Sequence, residues 1–331
     1  VDGGTIKLDG NYPTGSSNVA LGNAALDDGS LSSNFNTAIG SNALTALTSG
    51  GNHTAVGHNA LSSLTTGQVN VAVGQQALAS VVSGSYNTGI GTSALNANTA
   101  SNNTAVGYNS LLSNTTGDNN VAIGTEAGDA NTTGSDIVAV GRSALGGNTT
   151  GNYNTAMGRN ALLENTTASN NTAIGNVALR LNTTGTENVA VGSASLDANT
   201  TGSNNNAYGY GASGANTTGI HNNSFGTLAL ADCTTGGYNI AMGSNALRAT
   251  TTGVQNVGLG HGALSANTTA SNNTAIGNAA LLSNTTGAGS VAIGANALDA
   301  ATTGDDNVAV GMHALGSNTT ASDNTAVGRS T

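Results

Sequence analysis

The sequence predicts an all-β chain wound as a parallel β-solenoid, and three observations carry that prediction. A glycine recurs from Gly22 to Gly328 in 19 copies, and sixteen of the 18 intervals between copies are 17 residues long. The unit reads N-[TV]-A-[VI]-G-x-x-A-L-x-x-N-T-T-G-x-x, in which each apolar run is too short for a helix and is closed by Gly and then by Asn-Thr-Thr-Gly. β-branched residues fill the second position in 17 of the 19 copies, which favours strand. A fixed period of this length marks a repeat architecture, so each unit is read as one rung of a stack of about 19.

Residues 1–17 lie outside the repeat and hold the only Lys (Lys7) and the only Pro (Pro13). Thr5–Leu8 reads as a short strand and Asn11–Gly15 as a turn, so this segment is either a cap over the first rung or a link to something upstream. The repeat domain runs over 18–331 and stops inside a repeat, which suggests a portion of a longer protein.

Within the repeat, the first position is Asn in 16 of 19 copies, with His53, Ile137 and Ser290 as the exceptions. The third is always Ala, Gly or Ser, the fourth is always apolar, and the fifth is the glycine. Side-chain alternation puts the second and fourth positions on one face and the third on the other. Two short strands per rung are expected, N-T-A-V and x-A-L, joined by a glycine turn. In Asn120-Val121-Ala122-Ile123-Gly124, Val121 and Ile123 would then fill the rung and Gly124 would turn the chain. Asn120 would tie one rung to the next through an amide ladder. At the ~4.8 Å strand spacing, the stack would make a rod on the order of 90 Å long.

Two or three aliphatics per rung make a thin core. The unbroken small column at the third position, Ala122 among it, would let sister chains approach, so a homotrimer around a threefold axis is expected; a monomeric solenoid is the alternative.

Composition narrows the function. The net charge is −10 and the six cations are scattered, which argues against a nucleic-acid partner. Cys233 is the only cysteine, so neither an intrachain disulfide nor a cysteine-based zinc site can form. No apolar run approaches the ~20 residues of a membrane span. His53 and His58 lie close in sequence without a carboxylate beside them, and Asp27-Asp28 and Asp305-Asp306 lack the spaced ligands of a calcium loop. With no nucleophile elbow, phosphate loop or paired catalytic carboxylates, the chain reads as a non-enzyme without cofactor or metal. The Asn-x-Thr sequons, such as Asn114-Thr115-Thr116, are explained by their role as turns.

The run N-[TV]-A-[VI]-G-x-x-A-L resembles the head repeats of trimeric autotransporter adhesins, and the resemblance implies a left-handed β-roll that associates as a trimer. The longer form, with Leu followed by N-T-T-G as in Leu179 to Gly185, is similar to repeats of phage and phage-like tail-fibre proteins. The likeness covers residues 18–331. It departs from the adhesins in its longer rung and in lacking their coiled-coil stalk and membrane-anchoring barrel. The 331 residues also do not include the self-cleaving chaperone that ends many tail fibres, as expected of a portion of a longer protein.

The expected function is a structural and adhesive fibre, a virion tail fibre that presents a host-receptor-binding tip. A bacterial surface adhesin head, which would be extracellular, and an ice-binding solenoid are the alternatives. The last needs two outward Thr columns, and adjacent Thr residues in a strand would point opposite ways. A glycan-cleaving solenoid would need clustered carboxylates. Expected partners are further copies of the chain, other fibre or virion proteins at both ends, and a host cell-surface glycan.

Contacts with a receptor are sought where the pattern breaks. Between 205 and 233, Tyr208 and Phe225 replace aliphatics, Asn206 and Asn223 replace β-branched residues, Ser213 replaces Leu, and Cys233 replaces Asn. This stretch reads as a repacked core, or as a bend or carbohydrate contact using Tyr208, Tyr210 and His221. Arg142 and Arg159 share one repeat position on neighbouring rungs, so the stacked charges must face water or meet an anion such as a sugar acid.

Overall fold

A computed structural model of the chain describes residues 17–29 and 31–331. The strand and turn expected before residue 16 lie outside the described residues. The chain is an all-β parallel β-solenoid of about 19 rungs with a 17-residue period. It divides into two compact units, Val1–Thr167 and Ala168–Thr331. The first holds strands β1 (Val19–Leu21) to β9 (Thr155–Met157), the second β10 (Thr172–Ile174) to β19 (Thr325–Val327).

Every strand is three residues long and pairs in parallel with equivalent positions in register, as Val121↔Val138, Ala122↔Ala139 and Ile123↔Val140 show. One strand per rung replaces the expected two. The x-A-L segment is a turn, because its Leu takes a left-handed backbone; Leu111 has φ 48°. The turn nonetheless stays bonded to its neighbour, with the Leu111 N–H donating to Ala127 O at 3.0 Å and Ser113 N–H to Asp129 O at 3.0 Å. The repeat glycine has φ 137° at Gly124, where an added Cβ would lie 2.6 Å from Gly141 O. Rung-to-rung contact through the backbone therefore requires glycine at this position.

The expected faces of the strand are reversed. Ala122 is 0% exposed while Ile123 is 42% exposed, and the same pattern recurs along both units. The third position points into the solenoid, and the second and fourth point out. The lumen is narrow: at Gly89 a Cβ would sit 3.2 Å from the Leu78 side chain and 3.2 Å from Ala94 O. Only Ala, Gly or Ser fits there, so the small column is set by packing within one chain. The interior is filled by that column, by the small residue and Leu of x-A-L, and by two polar columns.

The first polar column is the expected Asn ladder. Asn120 N–H donates to Asn103 Oδ1 at 3.0 Å, Asn120 Nδ2 donates to Gly134 O at 2.9 Å, and Ile137 N–H donates to Asn120 Oδ1 at 3.1 Å. The Asn of Asn-Thr-Thr-Gly forms the second column, 0% exposed at Asn114, Asn131 and Asn148. Asn131 Nδ2 donates to Asn114 Oδ1 at 2.7 Å and to Gly134 O at 2.9 Å. In the earlier rungs this column is apolar, built from Leu47, Leu64 and Val81. The Thr that follows adds a bond on the outside, Thr132 Oγ1–H to Thr149 O at 2.9 Å. Buried amides are tolerated here because both halves of most of these side chains are satisfied.

Candidate functional site

The outer face of the strands is a regular, partly exposed surface in each unit. Its second position is Thr or Val in 16 of 19 strands, and its fourth is a largely aliphatic column that includes Ile39, Ile90, Ile123 and Met157 in the first unit. Ile174, Met242, Leu259, Ile276 and Ile293 continue the same position in the second. Strand alternation carries these side chains outward because the small residue between them has to face the lumen.

The predicted contact residues all reach the surface, at separate places. Tyr208 is 39% exposed and stacks on Phe225, with ring centroids 4.8 Å apart and planes 7° apart. His221 is exposed and stacks on Tyr238 at 4.9 Å and 20°. Tyr210 is 61% exposed, and among the described residues no ring contact joins it to Tyr208 or His221. Sequence reading did not single out Tyr238, although its position 17 residues after His221 marks it as the same site one rung on.

The stacking geometry limits what these rings can do. Their separation equals the ~4.8 Å spacing of adjacent strands, so each ring turns its face to the next rung and its edge to solvent. Such a stack stabilises its own column and covers one face of each ring, which is then closed to a sugar ring. Beside it, Asn206 Nδ2 donates to Asn223 Oδ1 at 2.9 Å. Beneath it, Ser213 Oγ–H donates to Ser224 Oγ at 2.9 Å, so the inward serine that replaces a Leu is satisfied by the third-position serine of the next rung.

Arg142 and Arg159 are both exposed on equivalent positions of adjacent rungs. Another arginine is paired: Arg180 Nε donates to Asp197 Oδ1 at 2.9 Å.

The titratable groups inside the solenoid are held in their neutral forms. Burial pushes the Cys233 thiol up to about 11, and its S–H makes only a long contact, 3.5 Å, to Gly236 O. A thiol held protonated in this way is a poor nucleophile. His53 replaces an asparagine of the first ladder, and its Nδ1 accepts the Asn70 N–H at 3.2 Å. Burial lowers its pKa to about 4, opposed by the nearby Gly67 carbonyl, yet Nε2 falls short of a hydrogen bond. His58 is exposed, so the two histidines do not form a common site. Among the described residues, no three His, Cys, Asp or Glu side chains are grouped to hold a metal ion, and no helix is long and apolar enough to cross a membrane.

No protein-family model matches the chain, and comparison with curated proteins gives no match either.

Proposed function

We propose that the chain is a structural and adhesive fibre segment, most similar in kind to a phage tail fibre, whose copies associate side by side as a homotrimer. The observation that carries this reading is the outward aliphatic column at the fourth repeat position, present in both units. Exposed apolar side chains repeated in register mark an interaction surface. A side chain left about two-fifths exposed presents on the order of 60 Å², so the seven exposed fourth-position residues of the second unit offer roughly 400 Å² from this column alone. That is about half of the ~800 Å² each partner contributes to a standard interface, and the neighbouring Thr and Val column adds to it. A second copy of the same chain is the natural occupant, since the column repeats at one spacing on every copy. The count of three, the left-handed winding and the preference for a tail fibre over an adhesin head follow from the family resemblance. A host cell-surface glycan remains the proposed receptor, and because one face of each stacked ring is covered by its partner, the candidate contacts shift towards Arg142 and Arg159 and an acidic sugar.

Light scattering on the 331-residue chain tests the association. The expected mass is three times that of one chain, and a stable folded monomer would overturn the proposal.

One observation favours a second reading. The two threonines of Asn-Thr-Thr-Gly lie in a turn and both reach the surface, as Thr132 and Thr133 do, so they make two outward columns. An ice-binding surface needs such columns, but the first hydroxyl already donates to the next rung, as Thr132 Oγ1–H does to Thr149 O. Absence of thermal hysteresis in the purified protein would remove this reading.

A further inference from the structure

The fold sorts the Asn-x-Thr sequons into two structural classes, a distinction hidden in the sequence. In the first class, Asn-Thr-Thr, the asparagine belongs to the inner ladder, except in the last rung, where Asn318 is half-exposed and its Nδ2 donates only to Ala321 O at 3.0 Å. Asn114, Asn131, Asn148 and Asn199 are 0% exposed. Each has both Nδ2 hydrogens in use: Asn148 Nδ2 donates to Asn131 Oδ1 at 2.8 Å and to Gly151 O at 3.0 Å. Asn199 Nδ2 likewise donates to Asn182 Oδ1 at 2.8 Å and to Gly202 O at 3.0 Å.

In the second class the asparagine immediately precedes the first repeat position, and the sequon Thr is the first residue of the strand. Asn52, Asn102, Asn170 and Asn272 stand there, exposed, each with φ between 61° and 63°. Among the described residues, no hydrogen bond from any of their Nδ2 groups is present. The Thr two residues on, Thr104 for Asn102, is half-buried on the outer face.

We propose that Asn52, Asn102, Asn170 and Asn272 are the positions where the folded chain accepts an N-linked sugar, and that the ladder asparagines are closed to it. In N-glycosyl transfer, Nδ2 attacks the anomeric carbon of an activated sugar such as UDP-glucose. The bond from C1 to the diphosphate oxygen breaks, UDP leaves with the electron pair, and one amide proton passes to a base of the transferase. The product keeps a single N–H. At a ladder position this deletes one of two buried bonds and leaves an acceptor unpaired. It also places a hexose where the neighbouring Gly134 would hold even a Cβ only 2.5 Å from Asn131 Oδ1. At the exposed positions neither penalty arises. A chain glycosylated on its ladder before folding would therefore be unable to close its rungs.

A soluble single-sugar N-glycosyltransferase with UDP-glucose, acting on folded and on urea-unfolded chain, tests the proposal, with occupancy mapped by peptide mass spectrometry. The folded chain should gain hexose at the four exposed asparagines and none at Asn131, Asn148 or Asn199, while the unfolded chain should be modified at both classes. Chain modified while unfolded should then fail to recover its circular-dichroism spectrum when urea is removed. Hexose on a buried ladder asparagine of folded protein would overturn the proposal. So would exposed sites left bare on folded protein but modified on unfolded protein. Thr104→Val supplies the control, because Val occupies that repeat position naturally: it should abolish modification at Asn102 alone and leave the fold intact.

Discussion

Asn216 and Cys233 stand one repeat apart in the same inner column, and Asn216 Oδ1 is buried without a donor because Cys233 occupies the place of the next asparagine. Elsewhere the amide oxygen accepts from the Nδ2 one rung on, as Asn199 Oδ1 does from Asn216 at 2.8 Å. The other ladder orphan has the same cause: Asn284 Oδ1 lacks a donor where Ala301 breaks the column. Both unsatisfied oxygens are thus explained by the residue 17 positions further along the sequence.

Restoring the column should stabilise the fold. A buried acceptor left bare costs about 1–3 kcal/mol, and a recovered hydrogen bond returns about 1 kcal/mol net. Cys233→Asn and Ala301→Asn should each raise the urea midpoint by the equivalent of roughly 1 kcal/mol, since the same column holds Asn at most other rungs. Unchanged midpoints in both variants would show that the ladder contributes little.

The reversal of the strand faces separates two substitutions in adjacent residues. Ala122→Leu forces a branched side chain into the lumen beside the inner Leu column and should destabilise the fold by about 1–3 kcal/mol or more, read as a lower thermal midpoint. Ile123→Asp alters only the outer face. It should leave the circular-dichroism spectrum unchanged and, repeated at Ile90 and Ile174, lower the mass measured by light scattering. The opposite pattern would restore the faces expected from sequence.

The repeat period, the parallel register, the glycine turn and the Asn ladder were legible in the sequence because each leaves a nearly invariant residue type at a nearly fixed spacing. The direction of the strand was not. Alternation distinguishes two faces without saying which is inside, and hydrophobicity pointed to Val121 and Ile123. What decides the matter is lumen width, set by Leu111 and its equivalents taking a left-handed backbone that sequence propensity does not foresee in Leu. The aromatic candidates were legible as breaks in the pattern; that Tyr208 and His221 stack face to face with different partners follows only from the rung spacing.

The glycine turn makes a sharper prediction than the strand. At Gly124 the backbone has φ 137°, a conformation L side chains rarely adopt, and a Cβ would meet Gly141 O at 2.6 Å. Gly124→Ala should therefore destabilise the first unit by several kcal/mol, whereas Ala substitution at Gly29, whose Cβ would meet nothing within 4 Å, should be tolerated. Limited proteolysis and thermal unfolding of the two variants make the comparison. Equal stability would mean that the rungs can separate at the turn without penalty.

His53 sets the response to acid. In the unfolded chain it titrates at its ordinary 6.5, whereas in the fold burial lowers its pKa to about 4. Between these values the unfolded state binds more protons, so stability is fully present above 6.5 and is lost as pH falls towards 4. The loss amounts to roughly 3 kcal/mol at ~1.4 kcal/mol per pKa unit. Asp129 acts in the opposite direction, because burial, followed by the charge of Glu126, raises its pKa. His53→Asn isolates the histidine: an amide supplies the same acceptor to Asn70 N–H and a donor for the Gly67 carbonyl, with nothing to titrate. Unfolding free energies measured by urea titration from pH 7 to pH 4 should decline more steeply for the parent chain than for His53→Asn. The two curves should diverge below the ordinary histidine range. Parallel curves would mean that His53 is protonated within the fold and that the ladder accommodates its charge.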